Sequence, residues 1–262
     1  MISVTEESIF TLITISLNNP EGLKKTGRSI SAQSFQDIQW IIVDGGSQDE
    51  TSEYLAGLPD HVIWVSEPDK GLYDAMNKGI DCLESAGSYV LFLNAGDCLA
   101  DNQTLERLKR LVVKAPRTPD FIYGDSYEPN RHGRRRLKRA KSHDTKAEGM
   151  FTHHQAMLYR AGLLKMFRYN TDYRIAADYD LTLRFLEQSR EIVYIPRPVC
   201  EFERGGISQQ QFLTGQREQD KIRKDRLNLG FLKRSCITGR QITANLLRHN
   251  WPGLYDRLRY HR

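Results

Sequence analysis

Before residue 115 the chain four times runs a short apolar stretch into a polar turn and then into an amphipathic segment. Phe10–Leu17 reads as a β-branched, buried strand ending in Asn18-Asn19-Pro20, and Leu23–Gln33 reads as the helix that follows. Trp40–Val43, the turn DGGSQDE and Thr51–Leu58 repeat the pattern. So do Val62–Val65 with Leu72–Glu84, and Tyr89–Leu93 with Leu105–Val113. Strands alternating with helices predict an α/β domain: a mostly parallel sheet with helices on both faces. Ligands of such sheets bind beyond the carboxyl ends of the strands. The polar residues fall at those ends: Asn18 and Asn19, Asp44, Glu67 and Asp69, Asp97.

The second half is less regular. Phe121–Tyr127 reads as a strand, Arg131–Lys141 as a basic turn and strand, and HHQAMLYR as the start of another strand. Ala177–Glu187 reads as a helix and Ile192–Ile195 as a strand closed by Pro196 and Pro198. From about Gln209 the chain is helical and basic, with breaks expected near Gly230, Gly239 and Pro252. Lys and Arg outnumber Asp and Glu by 38 to 33, and the excess gathers in Arg131–Lys141 and the C-terminal stretch, which suits anionic partners. Apolar runs fall far short of the roughly 20 residues that cross a bilayer. The N-terminal MISVTEES lacks the basic start and apolar stretch of a signal peptide. Cys82, Cys98, Cys200 and Cys236 form no C-x-x-C pair, so no zinc site is expected and a reducing compartment is. The expected location is the cytoplasm, with contact to the inner face of the membrane left open.

Five constellations bear on chemistry. In WIIVDGGSQDET, Asp44 directly follows a strand, and Gly45 and Gly46 let a ligand approach the backbone. An acid there accepts a nucleobase N–H or a ribose hydroxyl; the alternative is a turn in which Ser47 or Asp49 caps a helix. In EPDKGLYDAMNKGI, Leu72, Met76, Gly79, Ile80 and Leu83 define the buried helix face, leaving Tyr73, Asp74 and Asn77 near the crevice. A helix N-terminus favours a diphosphate there, whereas Asp74 with Lys78 as a simple ion pair is the structural alternative. YVLFLNAGD ends a strand with Asn94 and Asp97; Asp97 suits a hard divalent cation, or else caps a helix. In RIAADYDL, Asp178 is the preferred general base, against a helix-capping role and against Asp180. His153 and His154, read as neighbours on a strand, point to opposite faces, so only one reaches the crevice. The seven Lys and Arg of Arg131–Lys141 make a solvated face or a site for an anionic acceptor; nucleic acid is disfavoured because no aromatics interleave with them. The terminal ITANLLRHNWPGLYDRLRYHR either lies on an anionic membrane or packs on the domain.

TLITISLNN, Ser29–Gln33, WIIVDGGSQDET, SEPDKGLYDAMNKGI, YVLFLNAGD, HHQAMLYR, AADYDL and ERGGIS follow one another from about residue 10 to 208. In that order they resemble the family-2 glycosyltransferases, and among these the bacterial exopolysaccharide transferases of the colanic-acid type. The resemblance implies a GT-A, Rossmann-like three-layer αβα sandwich. Residues 1–208 would form it, with 1–100 the nucleotide-binding half and 101–208 the acceptor half, followed by a basic helical extension over 209–262. It implies an inverting transferase that uses a UDP- or GDP-sugar, a glycan or lipid-linked acceptor hydroxyl, and Mn²⁺ or Mg²⁺. Asp44 would contact the base beside Asn19 and Gly45. Asp74, Asn77 and Asn94 would line the donor pocket, Asp97 would hold the metal, and Asp178 would be the base. Gly205 and Gly206 would close over the diphosphate, and His154 and Gln155 would lie on the acceptor side. Many relatives carry aspartate where this chain has Asn94, which is uncharged and binds a cation more weakly. A nucleotidyltransferase would share the strand order but needs a glycine-rich basic loop after the first strand, where SLNNPEG stands. A non-catalytic nucleotide- or membrane-binding module is the other alternative.

Overall fold

The computed structural model describes residues 8–130, 133–203, 211–251 and 253–254. Strands β1 (Phe10–Ser16), β2 (Ile38–Asp44), β3 (Ile63–Ser66) and β4 (Tyr89–Phe92) alternate with helices α1 (Pro20–Ser31), α2 (Thr51–Ala56) and α3 (Leu72–Asp81). The short β5 (Cys98–Leu99) and α4 (Thr104–Lys114) follow. Then come β6 (Phe121–Pro129), β7 (Arg135–Lys138), β8 (Met157–Arg160), α5 (Ala161–Leu164), α6 (Ala177–Gln188), β9 (Ile192–Glu201), α7 (Phe212–Leu227) and α8 (Phe231–Asn250). The sheet order is β3-β2-β1-β4-β8-β6-β9-β5, with β7 on β6. The first four strands are parallel, β8 is antiparallel to both β4 and β6, and β9 runs parallel to β6. The expected α/β sheet is therefore parallel in its first half and mixed in its second.

The local reasons are plain. All seven residues of β1 are buried, as a central strand covered on both faces requires. Its residues alternate between two apolar layers. Ile13 and Ile15 join Ile41, Val43, Val90 and Phe92 against α3 and α6. Phe10 and Leu12 join Trp40, Ile42 and Leu91 against α1, α2 and α4. Each fully buried side chain of this kind contributes about 1.5–3 kcal/mol. At Gly79 a Cβ would meet Ile13 at 2.5 Å, so glycine is what lets α3 lie directly on β1.

Two expectations about the second half are corrected. Strand β9 does not stop at Pro196 but runs through Pro198 to Glu201. Proline offers no ladder N–H, and the pairing with β6 shifts register twice around Asp125, where such a gap is tolerated. Gly124 sits there because a Cβ would meet the Arg197 carbonyl at 2.8 Å. Helix α8 also passes through Gly239 without a break. The first helix of the basic extension, α7, packs on the domain. Ile222 of α7 is fully buried within the apolar layer that holds α3 and α6. Arg226 of α7 reaches buried Asp180 at 2.9 Å. Among the described residues no helix is long and apolar enough to cross a membrane.

Candidate active site

The turn after β1 and the turn after β2 are locked to each other. Asn18 has φ of 47°; its amide donates to Ser47 Oγ (2.7 Å) and its side chain accepts from the Gln48 amide (3.0 Å). Asn19 caps α1, accepting from the Gly22 amide at 3.0 Å, and Pro20 opens the helix where its missing N–H costs nothing. Asp44 is completely buried. Its carboxylate accepts from the Gly46 and Ser47 amides (3.2 and 2.9 Å) and from the Ser47 and Ser66 hydroxyls (2.5 and 2.7 Å). Asp44 thus stands at the expected strand end, but its carboxylate is turned into its own loop. Gly45, half-buried, faces the Asp69 carboxylate, which a Cβ at that position would approach to 2.5 Å.

Asn77 finds a structural role that the sequence did not suggest. Its amide donates to the Tyr169 carbonyl (3.0 Å) and accepts from the Tyr169 amide (2.8 Å). Both ends of the side chain are used to hold the segment before α6. Asp74 lies in the first turn of α3 and accepts from the Lys70 amide at 3.0 Å, so it shapes the approach to the helix rather than simply pairing with Lys78. Lys78 pairs with Glu67 instead, at 2.7 Å.

The turn after β4 is different. Gly96 has φ of +104°, a conformation that favours glycine, and Glu203 packs where its Cβ would lie. Buried Thr26 donates to the Asp97 carbonyl (2.7 Å) and receives the Gly96 amide (3.0 Å), pinning the turn to α1. The Asp97 carboxylate is 4% exposed and accepts from Gln155 Nε2 and the Glu203 amide, each at 2.7 Å. Burial pushes its pKa up to about 7, against the pull of those two hydrogen bonds. The Asn94 side-chain oxygen is buried and accepts from nothing among the described residues.

Asp178 sits in the first turn of α6 but does not cap it. The amides of Arg174, Ile175 and Ala176 all donate to Glu218 of α7, at 2.8, 2.9 and 2.9 Å. Glu218 thus holds the segment that leads into α6, and within the helix Asp178 is left to take a first-turn amide with one oxygen only. Its Oδ1 accepts from the Tyr179 amide (2.8 Å) and lies 3.4 Å from the Tyr73 hydroxyl, which donates to the Ile175 carbonyl at 2.6 Å. Its Oδ2 lies 3.7 Å from His154 Nδ1. Burial raises the Asp178 carboxyl to about 6, and burial lowers His154 to about 4, leaving the imidazole neutral. Asp180, the rival, is fully buried between Arg184 (2.8 Å) and Arg226 (2.9 Å) and serves as an ion-pair anchor.

The segment HHQ ties these acids together. It forms a short 3₁₀ turn, not the strand expected for it; β8 begins only at Met157. The two histidines nevertheless diverge. His153 packs on Phe202 and meets Lys138 at 2.6 Å, whereas His154 meets Asp178. Gln155, expected on the acceptor side, binds Asp97. Consecutive residues thus touch the two acids, 97 and 178, that the sequence holds far apart. Gly205 and Gly206 lie outside the described residues. Tyr73 stands near the crevice as its motif predicts, whereas Thr26 and Glu218 lie in no motif and nothing local in the sequence marks them.

The family model for glycosyl transferase family 2 matches residues 11–172, from β1 to just before Asp178. The chain belongs to this family. It is similar to an uncharacterised glycosyltransferase of Mycobacterium tuberculosis, 31% identical over 94% of this chain and 92% of the relative. It is also similar to a PGL/p-HBAD biosynthesis glycosyltransferase of Mycobacterium bovis, 34% identical over 76% of this chain and 79% of the relative. Among solved structures, Staphylococcus aureus TarS (residues 1–349) in complex with UDP-GlcNAc superposes with a TM-score of 0.65 at 15% identity, over 92% of this chain and 74% of that one. A mannosyltransferase from Pyrobaculum calidifontis in complex with GDP-Man and Mn²⁺ superposes with a TM-score of 0.62 at 16% identity, over 86% and 66%. This family-2 glycosyltransferase therefore has the GT-A fold, and the nucleotidyltransferase and non-catalytic alternatives fall away.

Proposed function

We propose that this glycosyltransferase moves a sugar from a UDP- or GDP-sugar to an acceptor hydroxyl with inversion at the anomeric carbon. The observation that carries the reading is the His154–Gln155 pair, whose side chains reach Asp178 and Asp97 from one short turn. Asp178 takes the acceptor proton. Its raised value near 6 leaves it ionised at neutral pH yet more basic than an ordinary carboxylate, which suits a general base. Neutral His154 beside it cannot neutralise that charge by ion pairing. Glu218 holds the segment leading into α6, and only Oδ1 of Asp178 is taken by a helix amide.

The donor side is the crevice bounded by Asn19, Gly45, Asp74 and the turn Asn94–Asp97. Asp44 and Asn77 support it from within, because their polar atoms are held by the chain itself. The oxygens present suit Mn²⁺ or Mg²⁺: one buried carboxylate, Asp97, and an unpartnered amide oxygen, Asn94, on the same turn. Among the described residues no cluster of three or more His, Cys, Asp or Glu stands ready for the ion, and substrate phosphate and water would supply the remaining ligands. Asp97 and Asn94 would hold the cation, which would supply positive charge for the departing diphosphate. We extend the reading to synthesis of a bacterial surface polysaccharide of the colanic-acid type, at the cytoplasmic face of the membrane. Support for that extension is the motif order in the sequence and the anionic-partner bias of the C-terminal stretch.

The test is a donor screen with UDP- and GDP-sugars, with and without Mn²⁺, scored by release of nucleoside diphosphate and by the anomeric configuration of product. Release from one donor class with an inverted product is expected. A retained configuration, or no release from any donor in the presence of acceptor extracts, sinks the reading.

A further inference from the structure

The segment that leads into α6 is gripped from two sides at Ile175. Its amide donates to Glu218 of α7 at 2.9 Å, and its carbonyl accepts from the hydroxyl of Tyr73, on α3, at 2.6 Å. The same hydroxyl lies 3.4 Å from Asp178 Oδ1. One phenol proton therefore faces two acceptors, a carbonyl by a short branch and a carboxylate by a long one.

Helix α3 leaves Tyr73 little freedom. The side chain is buried, and its ring stacks on Tyr169 with centroids 5.3 Å apart and planes at 21°. Tyr169 in turn stands edge-on to Phe92 of β4 at 5.4 Å. Asn77, one turn along α3 from Tyr73 and on the same side of the helix, holds the Tyr169 backbone. The stretch from Tyr169 to Asp178 is thus laid against α3 at both of its ends. Burial raises the Tyr73 phenol well above its ordinary value, so at any working pH it keeps the proton that it donates.

The two carboxylate oxygens of Asp178 are made unlike by this arrangement. Oδ1 takes the Tyr179 amide at 2.8 Å and faces Tyr73, whereas Oδ2 faces His154 Nδ1 at 3.7 Å, beyond hydrogen-bond reach. Glu218 of α7 adds negative charge nearby, His154 stays neutral, and burial keeps the phenols of Tyr159 on β8 and Tyr169 protonated. Among the described residues Tyr73 is the one side chain that donates to this carboxylate. The outer torsion of an aspartate is soft, and a base that turns away from its line of attack loses rate steeply.

We propose that Tyr73 is the positioning residue of the general base: it holds Oδ1 of Asp178, so that Oδ2 is the oxygen that takes the acceptor proton. The assignment rests on the transferase reading above, in which Asp178 is that base. Tyr73 acts through Asp178 and touches no reacting atom. A tyrosine that only satisfied the Ile175 carbonyl would support the fold and leave the titration of Asp178 alone, and that difference can be measured.

Tyr73→Phe keeps the ring and its stack on Tyr169 and removes only the donor. The first readout needs no substrate: carbon-13 NMR of the full chain labelled at aspartate Cγ, with the Asp178 signal assigned by its loss in Asp178→Asn. Asp178 is expected to titrate at about pH 6 in the wild type. In Tyr73→Phe it is expected to titrate about half a pH unit higher, because a hydrogen bond to the charged form is gone. The second readout is release of nucleoside diphosphate from the UDP- or GDP-sugar that the donor screen selects, with acceptor extract present. Tyr73→Phe is expected to lower kcat about tenfold and to leave KM for the donor unchanged. In the Asp178→Asn background the same change is expected to remove no further rate. 3-Fluorotyrosine at position 73, which keeps the hydroxyl and makes it a stronger donor, is expected to move the titration the other way, and it serves where Tyr73→Phe does not fold. A titration of Asp178 that neither replacement moves overturns the proposal. So does an equal loss of rate from Tyr73→Phe in both backgrounds. Asp178→Asn keeping the wild-type rate overturns the base reading itself, and the proposal with it, whatever the titration shows.

Discussion

Asp44 and Asp178 are both aspartates at the carboxyl-end rim of one sheet, yet the chain treats them in opposite ways. Asp44 is buried under four donors from its own loop and from Ser66. Asp178 is partly covered, accepts one short backbone bond, and faces a neutral imidazole. A carboxylate saturated by its own loop stabilises that loop. One that is desolvated without being saturated has a raised pKa and a free oxygen, which is what proton transfer needs. Asp97 stands between them: held by two donors, but buried deeply enough that its value still rises to about 7.

The contrast can be broken most directly at Asp178. Asp178→Asn is expected to lower transfer by about a thousandfold while leaving nucleotide-induced stabilisation in place. It should also melt no lower than the wild type at pH 7. The sign follows from linkage: burial raises the folded-state carboxyl from 3.8 to about 6, so between those values the folded chain binds more protons than the unfolded one. Stability from this group therefore falls as pH rises through that window, and asparagine removes the loss. A variant that keeps its rate, or melts well below the wild type, breaks the contrast.

Asp44→Ala should do the reverse. It strands two amides and two hydroxyls in a buried turn and is expected to destabilise by about 3 kcal/mol, read as a lower denaturant midpoint. Should it melt like the wild type and lose only donor binding, Asp44 belongs with the ligand contacts instead.

Glu218→Ala sharpens the comparison by acting on Asp178 from outside. Three α6-start amides lose their acceptor, so about 1–2 kcal/mol of stability should go. The rate should fall with KM for the donor unchanged. Glu218→Gln, which keeps an acceptor oxygen, should recover part of both.

The smallest effect expected is on the pH profile. With an ordinary acceptor, kcat/KM should rise with unit slope up to about pH 6 and then level, tracking ionisation of Asp178. A half-point near the usual carboxylate value would mean that the desolvation is absent in the working enzyme.

Much of this was legible in the chain. The four strand–helix repeats predict the order of β1 to α4, because apolar periodicity and turn residues are local signals. The acids at strand ends follow from the same pattern. Less legible were β9 running through its prolines, and the 3₁₀ turn at His154. Both depend on what the neighbouring strands offer: a register shift around Asp125, and Asp97 and Asp178 on either side of the HHQ segment.

The sequence by itself determined the family, the layered sheet and the short list of acids, since each is written in contiguous residues. Only the tertiary structure decided which donors each acid receives. It turns Asp44 into its loop, sets Asp180 between Arg184 and Arg226, and ties the segment before α6 to Glu218. Whether a carboxylate is saturated or poised depends on donors brought from distant parts of the chain, and spacing along the sequence carries no record of them.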